Sequence, residues 1–461
     1  MSISRRGFVS AVGGITLGAA GLQRPLAAMP WQQGRPRPTA SQLQWQRDEL
    51  AMFVHFGVNT FTDREWGDGK EDPRIFAPTA LDARQWARTA RAAGFKAMIF
   101  TAKHHDGFCL WPTATTRHSV ASSPFREGKG DVVREFVDAC RSESLRVGLY
   151  LSPWDQNHPA YGDSARYNDV YEAQLTELLT QYGEIHEVWF DGANGEGPNG
   201  KRQVYDWPRI WGAVRRLQPQ AVMFSDAGPD VRWIGNERGV AGVTNWSSVR
   251  PEIVPVPGLE GAEVMRSLQE GDRDGTVWRP GETDVSIRPG WFYHEPQDAQ
   301  VRSPQNLVSL YFSSVGRNSK LLLNVPPTRE GTLHATDVAA LEGMRARLDR
   351  IFADDLVARA TTRWRVTSPT TAVGEIALRA PADVGIIELG EEIAQGQRVA
   401  KFRLEGRDGS SWRTLHAGTT IGFRRMEHVI HGRVEALRLT IEDAVETPLP
   451  VRIACYAPAP M

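Results

Sequence analysis

Cysteine is scarce in this sequence, and its scarcity excludes two classes of fold. The 461 residues include three cysteines, Cys109, Cys140 and Cys455. An odd count prevents complete pairing, and no Cys-x-x-Cys or Cys/His spacing typical of metal ligands occurs. We therefore expect buried thiols, and neither a disulfide scaffold nor a structural zinc site. The sequence predicts no cofactor and no metal ion.

The sequence also lacks an excess of charge of one sign. It has 54 lysines and arginines against 55 aspartates and glutamates, a formal net charge of −1. Neither nucleic acid nor an anionic membrane surface is therefore expected as the main partner. Beyond the N-terminus no apolar run is long enough to span a bilayer, so no stable membrane insertion is expected in the mature protein.

Tryptophan, in contrast, is abundant. The chain has 15 tryptophans and 9 tyrosines. Carbohydrate sites favour tryptophan, because its flat apolar face covers the C–H face of a sugar ring. A tryptophan-rich core explains the same composition, so both interpretations stay open.

The N-terminus has the organisation of an export signal. It reads 1-MSISRRGFVSAVGGITLGAAGLQRPLAAMP-30, with Arg5 and Arg6 ahead of a weakly hydrophobic stretch and Ala28 at a plausible cleavage position. This pattern resembles a twin-arginine signal, which is removed from the mature protein. We expect residues 1–28 to be the signal and the protein to be periplasmic or secreted. The cleavage site stays open, because Leu26 is a poor residue two positions before Ala28.

From about residue 50 the chain alternates short apolar runs with amphipathic helical patterns. This alternation is typical of βα units around a parallel sheet. It predicts a (β/α)8-type barrel over residues 29–352, with irregular later units because 227–300 is rich in Gly, Pro and Trp. The first five strands are predicted at 51–60, 96–107, 146–155, 187–192 and 221–226.

The pattern of apolar and polar residues changes after about residue 355. Runs such as 373-VGEIALRAPADVGIIELGE-391 and 435-EALRLTIEDA-444 alternate with turns and carry no helical pattern. We expect residues 353–461 to form a small antiparallel β-sandwich. This domain lacks a cluster of carboxylates with aromatic partners, so we expect it to be accessory to catalysis.

Unusual polar residues stand where the predicted barrel strands end. Strand 1 carries His55, and the later strands end in Lys103, His104, His105 and Asp106 (strand 2), Pro153, Trp154 and Asp155 (strand 3), Trp189 and Asp191 (strand 4) and Asp226 (strand 5). The carboxyl ends of parallel strands share one end of a barrel, where the chemistry of such enzymes is placed. We therefore expect these side chains to meet.

Each residue alone has a plainer interpretation. His55 fits a hydrogen-bonded core histidine, and Asp191 fits a helix cap or a turn residue. His104 and His105 would point to opposite faces of a strand, so one of them is expected to face inward. As metal ligands with Asp106 they are disfavoured, since adjacent histidines on a strand rarely converge on one ion.

Six stretches together resemble glycoside hydrolase family 29, the α-L-fucosidases. They are 53-FVHFGVNTFTDREWG-67, 101-TAKHHDGFCLWPT-113, 187-EVWFDGANG-195, 233-WIGNERG-239, 280-PGETDVSIRPGWFYH-294 and 316-GRNSKLLLNVPP-327. The resemblance covers about residues 45–345, and the last three stretches are more similar to the subgroup acting on branched α-1,3/1,4-linked fucose. It implies an enzyme that releases terminal L-fucose from fucosylated oligosaccharides or glycoconjugates.

The resemblance also implies roles for individual residues. Asp191 would be the nucleophile of a retaining double displacement, with Glu237 as general acid/base and Glu282 as the alternative. Glu237 is expected in the loop after strand 5, and Glu282 beside a Pro-Gly turn. The fucose would be held by His55, Glu65, Trp66, His104, His105, Trp189 and Trp291. The oligomeric state is left open.

Other functions remain compatible with the same residues. They are a fucosidase of broad or α-1,2 specificity, another retaining glycosidase or transglycosylase on this barrel, and a non-hydrolytic fucose-binding relative. An intact Asp191 and two candidate acids argue against the last of these.

Overall fold

The computed structural model describes residues 34–430 and 432–459. The predicted export signal lies outside the described residues. Among the described helices none is long and apolar enough to cross a bilayer.

Eight parallel strands form a closed barrel. In chain order the strands β1 to β10 are Leu50–Val54, Ala97–Lys103, Arg146–Leu151, Glu187–Trp189, Val222–Ser225, Val231–Trp233, Ser248–Val249, Val277–Trp278, Gly281–Ser286 and Ser319–Asn324. The short strands β7 and β8 form a separate antiparallel pair, and the other eight close in the order β1-β10-β9-β6-β5-β4-β3-β2. The predicted fold class is thus confirmed.

Helices alternate with the barrel strands in the first half of the chain. Helices α1 to α9 are Ala40–Asp48, Val58–Thr62, Ala83–Ala92, Val132–Ser142, Ser164–Gln181, Trp207–Leu217, Ala262–Glu270, Pro304–Ser314 and Ala335–Ile351. Aspartates cap α3, α4 and α6, because Asp82, Asp131 and Asp206 each accept a hydrogen bond from a backbone N–H of the first helical turn. These caps set the residues at which the three helices begin.

The sixth barrel strand departs from the regular alternation. Strands β5 and β6 are joined by residues 226–230 alone, without a helix between them. Helix α7 then follows the β7 region rather than a barrel strand directly. The expected irregularity of the later units therefore falls between β5 and β9.

A buried ionic cluster fills the floor of the barrel, at the N-terminal ends of its strands. The Lys320 ammonium lies 3.1 Å from Glu187 Oε2 and 3.8 Å from Glu282 Oε2. Trp45 of α1 donates a hydrogen bond to Glu187 Oε2 over 2.9 Å and places its ring against the same ammonium. One cation shared by two carboxylates satisfies charges that would be costly to bury alone.

The C-terminal part of the chain forms two antiparallel sheets. Strands β11 to β18 are Arg363–Ser368, Thr371–Asp383, Ile386–Gly390, Val399–Asp408, Ser411–Gly418, Arg425–His428, Arg433–Ala444 and Arg452–Tyr456. One sheet has the order β11-β12-β17-β14-β15 and the other β16-β13-β18. Apolar side chains of both sheets, including Ile387, Phe402 and Leu439, share one core. The architecture is that of the predicted β-sandwich.

The sandwich packs against the outer helices of the barrel. The Phe352 ring, just after α9, lies 5.0 Å from Tyr456 and 6.2 Å from Phe312 of α8. Beside these rings, Arg424 donates hydrogen bonds to Glu49 and Glu388 over 2.6 and 2.7 Å. The contact therefore joins an apolar patch to a charged network on the side of the barrel, away from its mouth.

Candidate active site at the barrel mouth

Asp191 lies two residues after β4, with both carboxylate oxygens held by hydrogen bonds. Its Oδ1 accepts a hydrogen bond from the Ala193 N–H over 2.8 Å, which is the bond of an Asx turn. Its Oδ2 accepts one from the Tyr150 hydroxyl over 3.0 Å and lies 3.9 Å from His105 Nε2. Asp191 is therefore a turn residue and also presents a fixed, buried carboxylate to the mouth.

The glycines after Asp191 let other chain segments approach this carboxylate closely. A Cβ on Gly192 would lie 2.6 Å from Asp226 Oδ2, and one on Gly195 would lie 2.2 Å from the Trp154 ring. Asp226 in turn accepts a hydrogen bond from the Gly258 N–H over 3.1 Å. The glycine-rich segment thus brings the loops after β3, β4 and β5 into contact at one side of the mouth.

Three histidines gather at the mouth beside Asp191. The ring of His104 lies 4.2 Å from that of His105 and 5.4 Å from that of His55, measured between ring centroids. The expectation that only one of the adjacent histidines faces inward is wrong. Strand β2 ends at Lys103, so the side-chain alternation of a strand does not extend to His104 and His105.

Hydrogen-bond partners fix which nitrogen of His55 carries the proton. Asn324 Nδ2 donates to the Trp291 carbonyl oxygen over 2.8 Å, so its Oδ1 faces His55 Nδ1 at 2.8 Å. A carbonyl oxygen can only accept, and Nδ1 of His55 must therefore donate. In the neutral ring Nε2 is then a hydrogen-bond acceptor.

Hydrogen-bond partners also fix which nitrogen of His105 carries the proton. The Ser152 hydroxyl donates its one proton to the Trp154 carbonyl oxygen over 2.7 Å. It must therefore accept from His105 Nδ1, which lies 2.7 Å away. Neutral His105 consequently directs an acceptor nitrogen, Nε2, to the side of the ring that faces Asp191. Sugar hydroxyl groups are suitable donors to such a nitrogen.

Glu65 holds the loop that carries Trp291. Its carboxylate accepts hydrogen bonds from the Trp291 and Phe292 N–H groups over 2.7 and 3.3 Å, and lies 2.6 Å from His294 Nε2. His294 also contacts Asp63, and hydrogen bonds to both carboxylates, that to Glu65 first, raise the pKa of His294. Half-buried Trp291 is thereby fixed against His55, with ring centroids 5.1 Å apart.

Two further tryptophans, Trp66 and Trp154, lie beside His105 and form an aromatic wall together with Trp291. Trp66 meets the rings of His105 and Trp154 at centroid distances of 6.0 and 5.8 Å. Trp154 itself lies 4.9 Å from His105 and donates a hydrogen bond to the Glu196 carbonyl oxygen over 3.0 Å. The wall therefore extends from the loop after β1 to the glycine-rich segment after β4.

Glu237 lies in the loop after β6, not after β5 as expected. It is half-buried and lines a cavity of about 930 Å³ that also contains Trp233, Ser286 and Trp291. Its sequence neighbour Arg238 forms no ion pair within 4.0 Å in the described part of the chain.

Glu282 and Trp189 lie below the mouth. Glu282 is fully buried within β9, where Trp189 Nε1 donates to its Oε1 over 3.0 Å, and burial followed by the Glu187 charge raises its pKa. Trp189 is also fully buried, with its ring stacked 4.1 Å from Phe224. One expectation is therefore corrected: Glu282 lies within β9, in the barrel floor cluster, and not beside a turn. The binding of fucose by Trp189 stays a prediction.

Sequence reasoning missed several members of the site. Tyr150, Ser152 and Asn324 contact Asp191 or the histidines, yet stand in ordinary strand patterns or turns. A usable signal for Tyr150 and Ser152 was their place at the end of β3, beside β4. Among the described residues no cluster of three or more His, Cys, Asp or Glu suits a metal ion.

The assembled mouth was compared with known proteins. The family model described as α-L-fucosidase matches residues 28–350. The chain belongs to the α-L-fucosidase family. It is 42% identical over 453 residues to α-L-fucosidase 1 of Arabidopsis thaliana, covering 91% of this chain and 87% of that protein.

Solved structures of glycoside hydrolase family 29 fucosidases share the fold. One from an unknown rumen bacterium superposes with a TM-score of 0.85 at 40% identity, covering 93% of this chain and 79% of that one. A Ruminococcus gnavus fucosidase in complex with fucose superposes with a TM-score of 0.84 at 29% identity, covering 92% and 96%. The protein is therefore an α-L-fucosidase, a glycoside hydrolase.

Proposed function

We propose that this fucosidase acts with retention of configuration and that Asp191 is its nucleophile. The observation that carries the proposal is the fixed Asp191 carboxylate, held by its own turn and by Tyr150. A carboxylate acting as nucleophile must keep one orientation toward the anomeric carbon, and these two bonds supply it before the substrate binds. Each donor also favours the ionised form.

Glu237 is the proposed general acid and base. Strands β4 and β6 flank β5, so Asp191 and Glu237 start from strands roughly 10 Å apart, twice the usual strand spacing. Side chains reaching toward each other across that gap suit the separation of about 5–5.5 Å that retaining glycosidases require. Glu282 is unsuited to the role, because it is fully buried within β9 and engaged by Trp189 Nε1 and Lys320.

The reaction then balances in two steps. Asp191 forms a bond to the anomeric carbon while the bond to the leaving oxygen breaks and Glu237 donates its proton to that oxygen. A water molecule next attacks the anomeric carbon, gives its proton to Glu237 and releases the Asp191 carboxylate. Both carboxyl groups thus return to their starting states.

The histidines and aromatic rings are proposed to bind the fucose. Neutral His55 and His105 offer Nε2 as acceptors for the sugar hydroxyls, and His104 lies beside both. Trp66 and Trp291 supply flat apolar surface for the ring face and the methyl group. Glu65 acts on the sugar mainly through the Trp291 loop that it holds.

We propose further that the substrate is an α-1,3- or α-1,4-linked fucose on a branched oligosaccharide. The cavity beside Glu237 lies on the side of the leaving group and is lined entirely by residues 233–302. Its volume, about 930 Å³, is at the upper end of the range for small-molecule sites, which suits a branched rather than a small leaving group.

Export to the periplasm or beyond, directed by Arg5 and Arg6, remains part of this proposal.

Two measurements test the proposal. Proton NMR of the first-formed sugar distinguishes retention from inversion, since retention releases the α-anomer of L-fucose first. Initial rates on a branched trisaccharide and on a linear α-1,2-fucosylated chain then test the linkage. Appearance of the β-anomer first would overturn the mechanism, and faster cleavage of the linear chain would overturn the linkage.

A further inference from the structure

The cavity beside Glu237 is lined by more cationic than anionic side chains. Four arginines and two glutamates contribute to its surface: Arg238, Arg266, Arg288, Arg302, Glu237 and Glu270. If Glu237 donates its proton as proposed above, it is uncharged when the substrate binds. The surface then presents a single carboxylate against the four guanidinium groups.

The charge of one of these arginines, Arg288, is balanced by carboxylates outside the cavity. Arg288 is fully buried, and its guanidinium donates hydrogen bonds to Asp337 over 2.9 Å and to Asp298 over 2.7 Å. Both carboxylates lie outside the cavity lining. Arg288 therefore supports the cavity wall and has little charge left to offer a ligand.

Arg302 is different, because no carboxylate balances it. Its Nε donates to the Ser286 carbonyl oxygen over 2.8 Å and its Nη1 to Asn306 Oδ1 over 2.9 Å. Burial lowers the pKa of this half-buried guanidinium, and no neighbouring acid opposes that effect. The neutral partners fix its position while leaving its charge uncompensated.

Arg238 and Arg266 add two more cations from separate segments. Arg238 follows Glu237 in the loop after β6, and Arg266 lies on α7. Both are exposed, and within residues 34–430 and 432–459 neither has a carboxylate oxygen within 4.0 Å. Three arginines without ion pairs thus converge on one cavity from three elements of the chain.

We propose that this cavity accepts a leaving group that carries an anionic substituent, a carboxylate or a sulfate ester. Guanidinium groups recognise both, since their planar donors match two oxygens of either anion. The inference deepens the proposed function, because it assumes that the leaving group lies on the Glu237 side. It concerns the charge of the leaving group and not its linkage.

The test compares substrates that differ in one charge. The first pair is two aryl α-L-fucosides of matched leaving-group acidity, one with a carboxylate on the ring and one with a carboxamide at the same position. The second pair is a branched trisaccharide with and without a sulfate ester on its galactose. We expect kcat/KM to be roughly fivefold higher for the anionic member at low ionic strength. The preference should shrink as salt is added.

Variants identify the groups responsible. Arg302→Gln and the double variant R238Q/R266Q should lower the anionic-to-neutral ratio toward one. Arg302→Lys, which keeps the charge, should retain part of the preference. Arg84→Gln is the matched control, because Arg84 is exposed on α3 and does not line the cavity. It should leave both rates unchanged.

Each outcome decides the inference. A ratio of one or less in the wild type with both pairs overturns it, and so does a preference that survives all the arginine variants. A preference for the carboxylate alone or the sulfate alone identifies which anion the cavity takes. If neither trisaccharide is cleaved while aryl fucosides are, the proposed linkage fails and the aryl pair alone decides the inference.

Discussion

The Tyr150 hydroxyl donates a hydrogen bond to Asp191 Oδ2 over 3.0 Å, and both side chains are buried at the barrel mouth. Tyr150 belongs to β3 and Asp191 follows β4, so neighbouring strands set this contact. A tyrosine in this position orients the carboxylate and stabilises its charge. The Tyr150 hydroxyl would also release Asp191 when the carboxylate becomes an ester in the proposed covalent intermediate.

Tyr150→Phe should lower kcat/KM roughly tenfold or more, as expected when a hydrogen bond to a charged group is lost. Tyr171→Phe is the matched control. Tyr171 lies on α5, and its hydroxyl donates a hydrogen bond to the Leu151 carbonyl oxygen over 2.7 Å and not to Asp191. Steady-state kinetics and thermal unfolding of both variants make the comparison. Equal kinetic losses in the two variants would argue against the orienting role.

Asp191→Asn and Asp191→Ala should lower turnover by several orders of magnitude while the fold survives. The carboxylate contacts the Ala193 N–H and the Tyr150 hydroxyl but contributes no apolar packing, so folding should not depend on its charge. Hydrolysis of an aryl fucoside and circular dichroism are the measurements. Retention of more than roughly a tenth of the wild-type rate would contradict the nucleophile assignment.

Azide should distinguish Glu237 from Glu282. With an activated aryl fucoside, Glu237→Ala should keep much of its first step, because that leaving group needs no proton, and azide should restore turnover as fucosyl azide. Glu282→Gln should instead lower the melting temperature without azide rescue, since it removes one of the two carboxylates that share Lys320. Rescue confined to the Glu282 variant would reverse the assignment.

Ser152 should act on the reaction through His105. Ser152→Ala removes the acceptor that holds the proton on His105 Nδ1, so the ring can transfer it to Nε2, 3.9 Å from Asp191 Oδ2. We expect kcat/KM to fall roughly fivefold. Nitrogen-15 NMR of the histidine rings should show a shift in tautomer, and Ser152→Thr should restore both. Lower stability without a tautomer shift would show that Ser152 is only structural.

The His294 contacts should make stability depend on pH. Glu65, followed by Asp63, raises the pKa of His294 above the ordinary value of 6.5. The stabilisation is therefore complete below pH 6.5 and is lost as the pH rises through the folded-state value. The melting temperature of His294→Gln should lie below that of the wild type at pH 5.5, and the difference should narrow at alkaline pH. A difference that is constant with pH would contradict this origin.

The sequence predicted the regular part of the barrel well. The starts of strands β1 to β5 were placed within one residue, because their apolar runs are local signals, whereas their ends were placed up to six residues too late. Strand β6 has three residues, too few for a recognisable pattern. Strand β9 reads as polar, since Glu282, Thr283 and Asp284 are buried within it with partners from distant segments.

For the site, too, the sequence predicted what local signals show and not what depends on distant segments. His55, His104, His105 and Asp191 could be proposed from the sequence because they stand at strand ends and within the stretches that resemble α-L-fucosidases. The depth of Trp189 could not be predicted, because it depends on Phe224 and Glu282 from other strands. The place of Glu282 on the barrel floor likewise depends on Lys320, which the sequence gives no reason to pair with it.

The shared Lys320 cation has a consequence for the order in which the chain folds. Glu187 and Glu282 are synthesised before Lys320, and until β10 arrives their carboxylates have no ammonium to share on the barrel floor. Burying both beforehand would confine two like charges in a dry interior, which is strongly unfavourable. A nascent or truncated chain that ends before residue 319 should therefore stay open and be sensitive to proteases. Because β10 pairs with both β1 and β9, the barrel can close only after the segment that carries Lys320 has been synthesised.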